Sequence, residues 1–189
     1  FDVPDAELSY DPHFLSEDKA DELYIRLKRE THWQQDQITV FGKTHLQPRL
    51  TALYGNEGRP YSYSGIVMQP HAWTPALQYL REAVELICET HFTTVLLNLY
   101  RDGRDSNGWH ADNERELGRE PIIASVSLGA ARYFHLRHNT QPDQKIKLLL
   151  EHGSLLTMQG QTQHCWKHQV PKTAQAVGPR INLTFRSIK

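Results

Sequence analysis

The amino-acid sequence predicts an α+β protein in which helices come first and the C-terminal two thirds form a β-sandwich or jelly roll. Two segments before residue 90 repeat apolar residues at helical spacing, whereas the later chain consists of short runs with strand character. Turn residues such as Asp102-Gly103 and Pro142-Asp143 separate these runs. The 189 residues show no internal repeat or long linker, so we expect a single domain with a buried core.

Two helices are expected in the N-terminal half of the chain. The first runs from about Ser16 to Thr31, because serine is a favoured N-cap residue and apolar residues then recur at helical spacing from Ala20 to Leu27. The second begins at Thr74, with Pro75 at the first helical position, where proline is favoured. Its apolar residues also follow a helical stripe.

Six strands are expected after residue 92. Each is a short run rich in β-branched, aromatic or alternating residues, and each is bounded by glycine, proline or aspartate. The predicted strands are Thr94–Tyr100, Ile122–Leu128, Arg132–Arg137, Ile146–Leu150, Ser154–Met158 and Ile181–Ile188.

Composition excludes several classes of protein. No apolar stretch approaches the roughly 18 residues that a membrane-spanning helix needs, so no membrane partner is expected. The first ten residues lack the features of a secretory signal, and the two cysteines, Cys88 and Cys165, fit neither a disulfide framework nor a thiolate zinc site. We therefore expect an intracellular protein, cytoplasmic in a bacterium and nuclear in a eukaryote. We also expect a monomer.

The overall charge does not favour a nucleic-acid partner. The formal net charge is −1 and the pI is about 6.9, whereas nucleic-acid-binding domains often have a pI above about 9. Any binding to DNA would therefore depend on local basic patches. Hydrolase motifs (GxSxG, P-loop, CxxC, HExxH) are also absent from the sequence.

The last predicted strand carries a distinctive polar face. Side chains two apart share one face of a strand, so Arg180, Asn182, Thr184 and Arg186 lie opposite an apolar face. On the pattern alone, this polar face either is exposed to water or lines a pocket. Two guanidinium groups beside an amide would suit a small dicarboxylate, because guanidinium pairs with carboxylate through two hydrogen bonds.

A possible metal site precedes it in the chain. His110 and Asp112 would project together from an extended segment, and His168 would complete two histidines and one carboxylate, the ligand set of non-haem iron(II) oxygenases. On sequence grounds His152 and His164 are rival third ligands. Asn98 and Tyr100, again two apart, would add neutral hydrogen bonds to a bound acid.

In this order and at these spacings, the motifs Asn98-x-Tyr100, His110-x-Asp112, His168 and Arg180-x-Asn182-x3-Arg186 resemble the signature of the AlkB family. The resemblance extends from about Val40 to the end of the chain. It implies a double-stranded β-helix (jelly-roll) core at about 92–189, preceded by N-terminal helices and a nucleotide-recognition hairpin region at about 32–72. It also implies Fe(II) bound by His110, Asp112 and His168, which are then the catalytic residues. The residues that it implies for 2-oxoglutarate binding are Asn98, Tyr100, Arg180, Asn182, Thr184 and Arg186.

The N-terminal part resembles the family members that prefer double-stranded DNA. There the resemblance implies that Phe41 enters the base stack in place of a flipped base, next to Gly42, while Lys43 and Arg49 contact phosphate. Without the resemblance, Phe41 is equally an exposed residue at a hairpin tip or one packed in the core.

The resemblance also implies a pocket for the damaged base. Tyr61 and Tyr63 would enclose the base, and Glu114, with Asn113 beside it, would read its edge. The alternative is that both tyrosines are ordinary strand residues. Asn113 departs from the duplex-preferring relatives, where aspartate is expected, so the contacts at the base stay open.

The implied function is oxidative demethylation of 1-methyladenine and 3-methylcytosine in alkylated DNA, duplex in the first place, with single-stranded DNA or RNA as alternatives. The rival functions are an iron(II)/2-oxoglutarate hydroxylase acting on RNA, a protein or a small metabolite, and a non-catalytic metal-binding jelly roll.

Overall fold

A computed structural model describes residues 1–40, 42–57, 61–63 and 66–189, with the side chains of residues 40, 61–63 and 66 left out of the description. The helices are α1 (Glu17–Glu30), α2 (Pro75–Cys88) and the single turn α3 (Thr162–Cys165), with a 3-10 turn at Arg115–Leu117. The strands are β1 (Glu7–Asp11), β2 (Gln37–Val40), β3 (Lys43–Leu46), β4 (Leu50–Gly55), β5 (Tyr61–Tyr63), β6 (Ile66–Met68), β7 (Thr94–Tyr100), β8 (Asn107–His110), β9 (Ile123–Gly129), β10 (Arg132–His138), β11 (Lys145–Leu150), β12 (Ser154–Gln159), β13 (Trp166–Val170) and β14 (Arg180–Arg186).

Two antiparallel sheets form the body of the protein. The large sheet has the strand order β1-β12-β9-β14-β7-β4, and the small sheet has the order β11-β10-β13-β8. Two hairpins, β2-β3 and β5-β6, stand outside these sheets. This mostly β architecture with few helices confirms the predicted α+β class with a jelly-roll core.

The apolar side chains divide into two cores, which define three layers. One core lies between the helices and the large sheet, and it joins Leu23 and Leu80 to Leu183. The other lies between the two sheets, where Leu156 of the large sheet belongs to the same cluster as Trp166 of the small sheet. The large sheet is therefore covered on both faces, by helices on one side and by the small sheet on the other.

Both predicted helices are present, and their ends carry the expected capping chemistry. The side chain of Ser16 accepts a hydrogen bond from the Lys19 amide, and Thr74 does the same for the Leu77 amide. Pro75 occupies the first turn of α2, where its missing N–H costs no helical hydrogen bond. No helix in the described ranges is long and apolar enough to cross a bilayer.

All six predicted strands are present, and Thr94–Tyr100 has the predicted bounds. Others were not predicted, among them β1, β4, β8 and β13. Strand β13 reads Trp-Lys-His-Gln-Val, which carries too weak an alternation to stand out locally, and it becomes a strand by pairing with β10 and β8. The large sheet also takes β1 and β4 from outside residues 92–189, so the jelly roll extends beyond its expected range.

Strand β14 lies at the centre of the large sheet, between β9 and β7, and all seven of its residues are buried. Ile181, Leu183 and Phe185 belong to the core under the helices. Because side chains alternate along a strand, the polar face from Arg180 to Arg186 points toward the small sheet. This decides between the two alternatives for that face: it lines the interior and is not exposed to water.

The backbone at the end of β9 requires glycine. Gly129 has φ +88°, and a Cβ built there would lie 2.5 Å from the Pro179 carbonyl oxygen. We expect Gly129→Ala to lower the free energy of unfolding by about 1–3 kcal/mol, because it combines left-handed backbone strain with a steric clash. The control is Gly178→Ala, whose added Cβ would meet its nearest atom, the Ala130 Cβ, at 3.9 Å. Urea unfolding measures both changes, and equal losses would contradict the prediction.

Candidate active site

His110, Asp112 and His168 meet in the cavity between the two sheets. His110 ends β8, and its pairing partner in the neighbouring strand β13 is His168. Their Nε2 atoms are 3.1 Å apart, and the candidate ligand atoms of all three residues lie within 4.8 Å of one another. Two nitrogens bound at about 2.1 Å to one ion lie about 3 Å apart at right angles, so this spacing fits a shared metal ion.

Both imidazoles are held in the neutral form that binds metals. Burial lowers the pKa of His110, and burial together with the neighbouring His110 lowers the pKa of His168 to about 3. The Nδ1 of His110 lies 2.7 Å from the Gly108 carbonyl oxygen, to which it must donate its proton. The lone pair of His110 is therefore on Nε2, which faces His168.

Asp112 presents one carboxylate oxygen to this cluster. The side chain is 1% exposed, and its Oδ2 accepts a hydrogen bond of 2.9 Å from Nη2 of Arg186. Burial alone would raise the pKa of Asp112, but Arg186 lowers it below its ordinary value. Its Oδ1 is buried and has no hydrogen-bond partner among the described residues. A bare carboxylate oxygen is costly inside a protein, so its position beside two imidazoles fits a cation.

The polar face of β14 and the matching face of β7 form one wall of the same cavity. Asn182 pairs with Asn98, and Arg180 pairs with Tyr100 across the two strands. The predicted metal and cofactor residues that line this cavity together are His110, Asp112, His168, Asn98, Tyr100, Arg180, Asn182, Thr184 and Arg186.

Arg180 is a buried cation suited to bind an anion. It is 1% exposed, its Nη2 donates to Ser127 Oγ at 2.9 Å, and its guanidinium carbon lies 5.3 Å from the centre of the Tyr100 ring. Burial lowers its pKa to about 10, which leaves it charged at neutral pH. Its Nε and Nη1 have no hydrogen-bond partner in the described part of the chain. Two free N–H groups on a buried guanidinium fit a carboxylate.

The other polar residues of the wall are engaged within the protein. Asn182 donates to Ser125 Oγ at 2.7 Å, and its own side-chain oxygen accepts from Thr184 at 3.0 Å. Arg186 is engaged by Asp112. Arg186 therefore supports a candidate metal ligand, whereas Arg180 keeps two N–H groups without a partner among the described residues and is the candidate for binding a ligand.

The phosphate contact expected for Arg49 does not fit its position. The side chain is 3% exposed, and it donates from Nε to Asn98 Oδ1 at 2.8 Å and from Nη1 to the Ser106 carbonyl at 3.2 Å. The cause is tertiary: β4, which begins at Leu50, pairs with β7 and carries the arginine into the interior. Arg49 therefore supports Asn98 in the cavity wall and does not reach the surface.

The hairpin expected to carry the finger is present. Val40 pairs with Lys43, and Gly42, between them, has φ +74°, a conformation that glycine adopts readily. Lys43 is exposed, as a phosphate contact requires. Phe41 lies outside the described residues.

The structure describes some of the residues that are expected around the base. Tyr61 and Tyr63 lie in β5, which pairs with β6, but their side chains are outside the description. Asn113 is exposed and Glu114 is half-buried, both in the loop that leads away from Asp112. Among the described residues, the lining of the cavity includes Asp112 but neither Asn113 nor Glu114.

The rival third ligands lie elsewhere. His152 accepts a hydrogen bond from the Gly129 amide and contacts Asp21 through its other nitrogen, and His164 is exposed. Neither belongs to a group of potential ligands in the described ranges.

A second group of potential ligands, Asp5, His138 and Cys165, has its atoms within 4.8 Å of one another. The backbone amides of Thr140 and Gln141 both donate to Nδ1 of His138. The neutral ring must therefore carry its proton on Nε2, which lies 3.2 Å from Asp5 Oδ2. Both ring nitrogens of His138 are therefore engaged in hydrogen bonds, and neither is available to a metal. This group joins distant parts of the chain through hydrogen bonds.

Sequence reasoning missed Gln163, a buried residue of α3. Its side-chain oxygen accepts a 2.8 Å hydrogen bond from the backbone amide of Asp112, and its amide group lies 3.5 Å from the sulfur of Met158. Gln163 thus ties the segment that leads to His168 to the segment that carries Asp112. A four-residue helix has no local pattern that would have marked it.

Comparison with known proteins shows similarity to one family of oxygenases along nearly the whole chain. Residues 7–186 match the family model of the 2OG-Fe(II) oxygenase superfamily. The chain is 42% identical over 186 residues to alpha-ketoglutarate-dependent dioxygenase alkB homolog 3 from Bos taurus, covering 94% of the chain and 64% of that relative. It is 40% identical over 180 residues to DNA oxidative demethylase ALKBH2 from Homo sapiens, covering 90% and 69%. The chain thus spans less than two thirds of the first of these relatives.

Solved structures support the fold. The structure of OsALKBH1 superposes with a TM-score of 0.67 at 17% identity, covering 99% of this chain and 100% of that one. A prolyl hydroxylase from Trichoplax adhaerens, solved with a hypoxia inducible factor peptide, also reaches 0.67 at 16% identity, covering 96% and 83%. At these identities the likeness concerns the fold alone.

The contact of Gln163 with Asp112 makes a prediction about metal affinity. We expect Gln163→Met to weaken binding of Co(II) to the metal-free protein about 10–100-fold, because Asp112 loses the acceptor that orients its backbone. Gln163→Glu keeps the acceptor oxygen and should restore most of the affinity. Gln169→Met, on the neighbouring strand β13, is the control. Calorimetric titration measures all four proteins, and wild-type affinity in a folded Gln163→Met protein would contradict the prediction.

Proposed function

Because the chain belongs to the AlkB family of 2OG-Fe(II) oxygenases, we propose that it repairs nucleic acid by oxidative removal of alkyl groups from damaged bases. The observation that carries the proposal is the meeting of His110, Asp112 and His168 in one cavity with the buried cation of Arg180. A non-catalytic metal-binding module would need the three ligands but not that arginine.

Fe(II) would be held by Nε2 of His110, Nε2 of His168 and Oδ1 of Asp112. Two neutral imidazoles and one carboxylate leave coordination positions open for other ligands. When bound, iron and 2-oxoglutarate together supply the oxidising chemistry that dioxygen drives. The protein's own part is to keep the two imidazoles uncharged and the carboxylate ionised, which the lowered histidine pKa values and the Arg186–Asp112 ion pair provide.

The cosubstrate 2-oxoglutarate would be held at one end by Arg180. The two unpartnered N–H groups of this guanidinium match the two oxygens of a carboxylate, and burial strengthens the pair by excluding water. Tyr100 lies against the same guanidinium. Asn98, Asn182 and Thr184 would shape the slot, with their hydrogen bonds already made within the protein.

The substrates would be 1-methyladenine and 3-methylcytosine, which are blocked on the pairing edge, and the products would be the repaired base, formaldehyde, succinate and CO2. A base that cannot pair costs less to flip out of the stack. Tyr61 and Tyr63 would stack on it, and the carboxylate of Glu114 would suit a base made cationic by alkylation. The relative ALKBH2 is named as a DNA oxidative demethylase, which supports alkylated DNA as the substrate class.

Duplex DNA is the proposed form of the substrate, through Phe41 and Lys43 in the β2-β3 hairpin. Single-stranded DNA or RNA, or a protein or metabolite hydroxylated by the same chemistry, are the alternatives. Succinate release from 2-oxoglutarate, measured with and without a 1-methyladenine oligonucleotide in single-stranded and annealed form, separates them. Release that no methylated oligonucleotide stimulates would contradict the proposal.

Asp112→Asn should abolish Fe(II)-dependent demethylation and leave the fold intact. The amide keeps the shape of the side chain and an acceptor for Arg186, but it loses the charge that a divalent ion requires. Both Asp112→Asn and Asp112→Ala leave Arg186 without a counter-charge, but only the asparagine keeps a hydrogen-bond acceptor for it, so Asp112→Ala is the poorer variant. Asp18→Ala, on the exposed first turn of α1, is the control. Mass spectrometry of the oligonucleotide gives the readout, and wild-type turnover in Asp112→Asn would refute the metal assignment.

Arg180→Met should raise the KM for 2-oxoglutarate at least about tenfold, with a smaller effect on the KM for the oligonucleotide. The variant keeps the volume of the side chain but removes the cation that would bind the carboxylate. Arg132→Met is the control, because Arg132 is also buried and near Tyr100 but donates to backbone carbonyl groups. An unchanged cosubstrate dependence in a folded Arg180→Met protein would remove Arg180 from the pocket.

A further inference from the structure

The outer face of the small sheet is rich in cations. Along β10, β11 and β13, buried and exposed side chains alternate, so one set of residues packs in the second core and the other points away from it. Trp109 of β8 joins the outward set through its contact with Arg137. We call the aromatic and basic members of this set the basic face, namely Trp109, Tyr133, His135, Arg137, Lys145, Lys147 and Lys167. The other outward positions of these strands are Leu149 and Gln169.

In the part of the chain that the structure describes, the cations of the basic face have no carboxylate partners. Lys145, Lys147, Arg137 and Lys167 form no ion pair within the described ranges, and the outward positions of their strands carry no Asp or Glu. Cations elsewhere are commonly paired, as Lys19 is with Glu22. The formal net charge of the whole chain is −1, so this face departs from the average of the molecule.

Aromatic rings hold two of these cations in place. The Lys147 ammonium lies 3.9 Å from the centre of the Tyr133 ring, and the Arg137 guanidinium lies 4.2 Å from that of Trp109. Arg137 and Lys145 line two grooves on the sheet, and the grooves therefore adjoin. No acidic residue lines either groove within the described residues. Ordered, unpaired cations along a groove are suited to a chain of regularly spaced anions.

We propose that the basic face binds the phosphate backbone of the nucleic acid whose damaged base occupies the active site, an inference that rests on the proposed function. The positions support it: β8 is the edge strand of the small sheet, and it carries His110 toward the cavity and Trp109 toward the basic face. A strand that leaves the cavity around this edge meets Trp109 with the Arg137 guanidinium over it, and Lys167 of the adjacent strand β13. Cations lie over Trp109 and Tyr133, so these rings are not free to stack on bases. Binding at the basic face would therefore depend on the phosphate charge of the nucleic acid and not on its base sequence.

The test compares two triple variants with the same change in charge. Lys145→Ala/Lys147→Ala/Lys167→Ala removes three cations of the basic face, and Lys19→Ala/Lys28→Ala/Arg29→Ala removes three from α1. Fluorescence anisotropy with an unmodified 20-nucleotide DNA strand gives the Kd across a range of NaCl concentrations. Each lost phosphate contact lowers the slope of log affinity against log salt by about 0.7 for a single strand, so we expect a decrease of about 2 in the first variant. We also expect about a tenfold or greater rise in its Kd at 50 mM NaCl, and no comparable change in the α1 variant.

Two results would overturn the proposal: a wild-type slope in the basic-face variant, or equal losses in both variants, which would indicate an effect of net charge alone. Competition by poly-glutamate as effective as by DNA at equal charge would assign the face to an acidic protein partner and would also overturn it. Demethylation of an annealed oligonucleotide that carries 1-methyladenine is measured in parallel. Wild-type protein that lacks this activity would contradict the proposed function, whereas the salt slopes would still decide the basic face.

Discussion

The buried ion pair between Arg186 and Asp112 is the contact on which the arrangement of the site depends. Arg186 ends the central strand of the large sheet, and Asp112 follows the edge strand of the small sheet, so the pair joins the two halves of the sandwich. Charges buried this deeply are tolerated only when they are compensated. The pair keeps Asp112 ionised, orients its carboxylate and leaves one oxygen directed at the two histidines.

Compensation of buried charge also explains the protonation states of the other residues in the cavity. Burial lowers the pKa of both histidines, which removes two potential positive charges from a small volume that already holds Arg186 and Arg180. Among the described residues, one oxygen of Asp112 and two N–H groups of Arg180 are buried there without a hydrogen-bond partner. A divalent cation and a dicarboxylate would satisfy both, and their binding would stabilise the folded protein, since any ligand that binds only the folded state does so.

Residues from distant parts of the chain support the candidate active site through hydrogen bonds. Gln163 fixes the backbone of Asp112 from the segment that precedes His168, and Arg49 braces Asn98 from the strand that follows the β2-β3 hairpin. Each connects two parts of the chain whose relative position determines the metal geometry. The same small sheet that holds both histidines on its inner side carries the basic face on its outer side, so one sheet would serve both the chemistry and the alignment of the polymer.

The sequence by itself determined the features that depend on near neighbours. The caps at Ser16 and Thr74, the strand Thr94–Tyr100 and the alternation from Arg180 to Arg186 follow from rules that act over a few residues, and the motif order pointed to the family. The tertiary structure decided what no local rule contains: that the polar face of β14 points inward, that His168 and not His152 or His164 joins His110 across 58 residues, and that Arg49 is buried. The reason is physical. The environment of a side chain is set by the strand that pairs beside it and the layer that covers it, and here both come from distant parts of the chain.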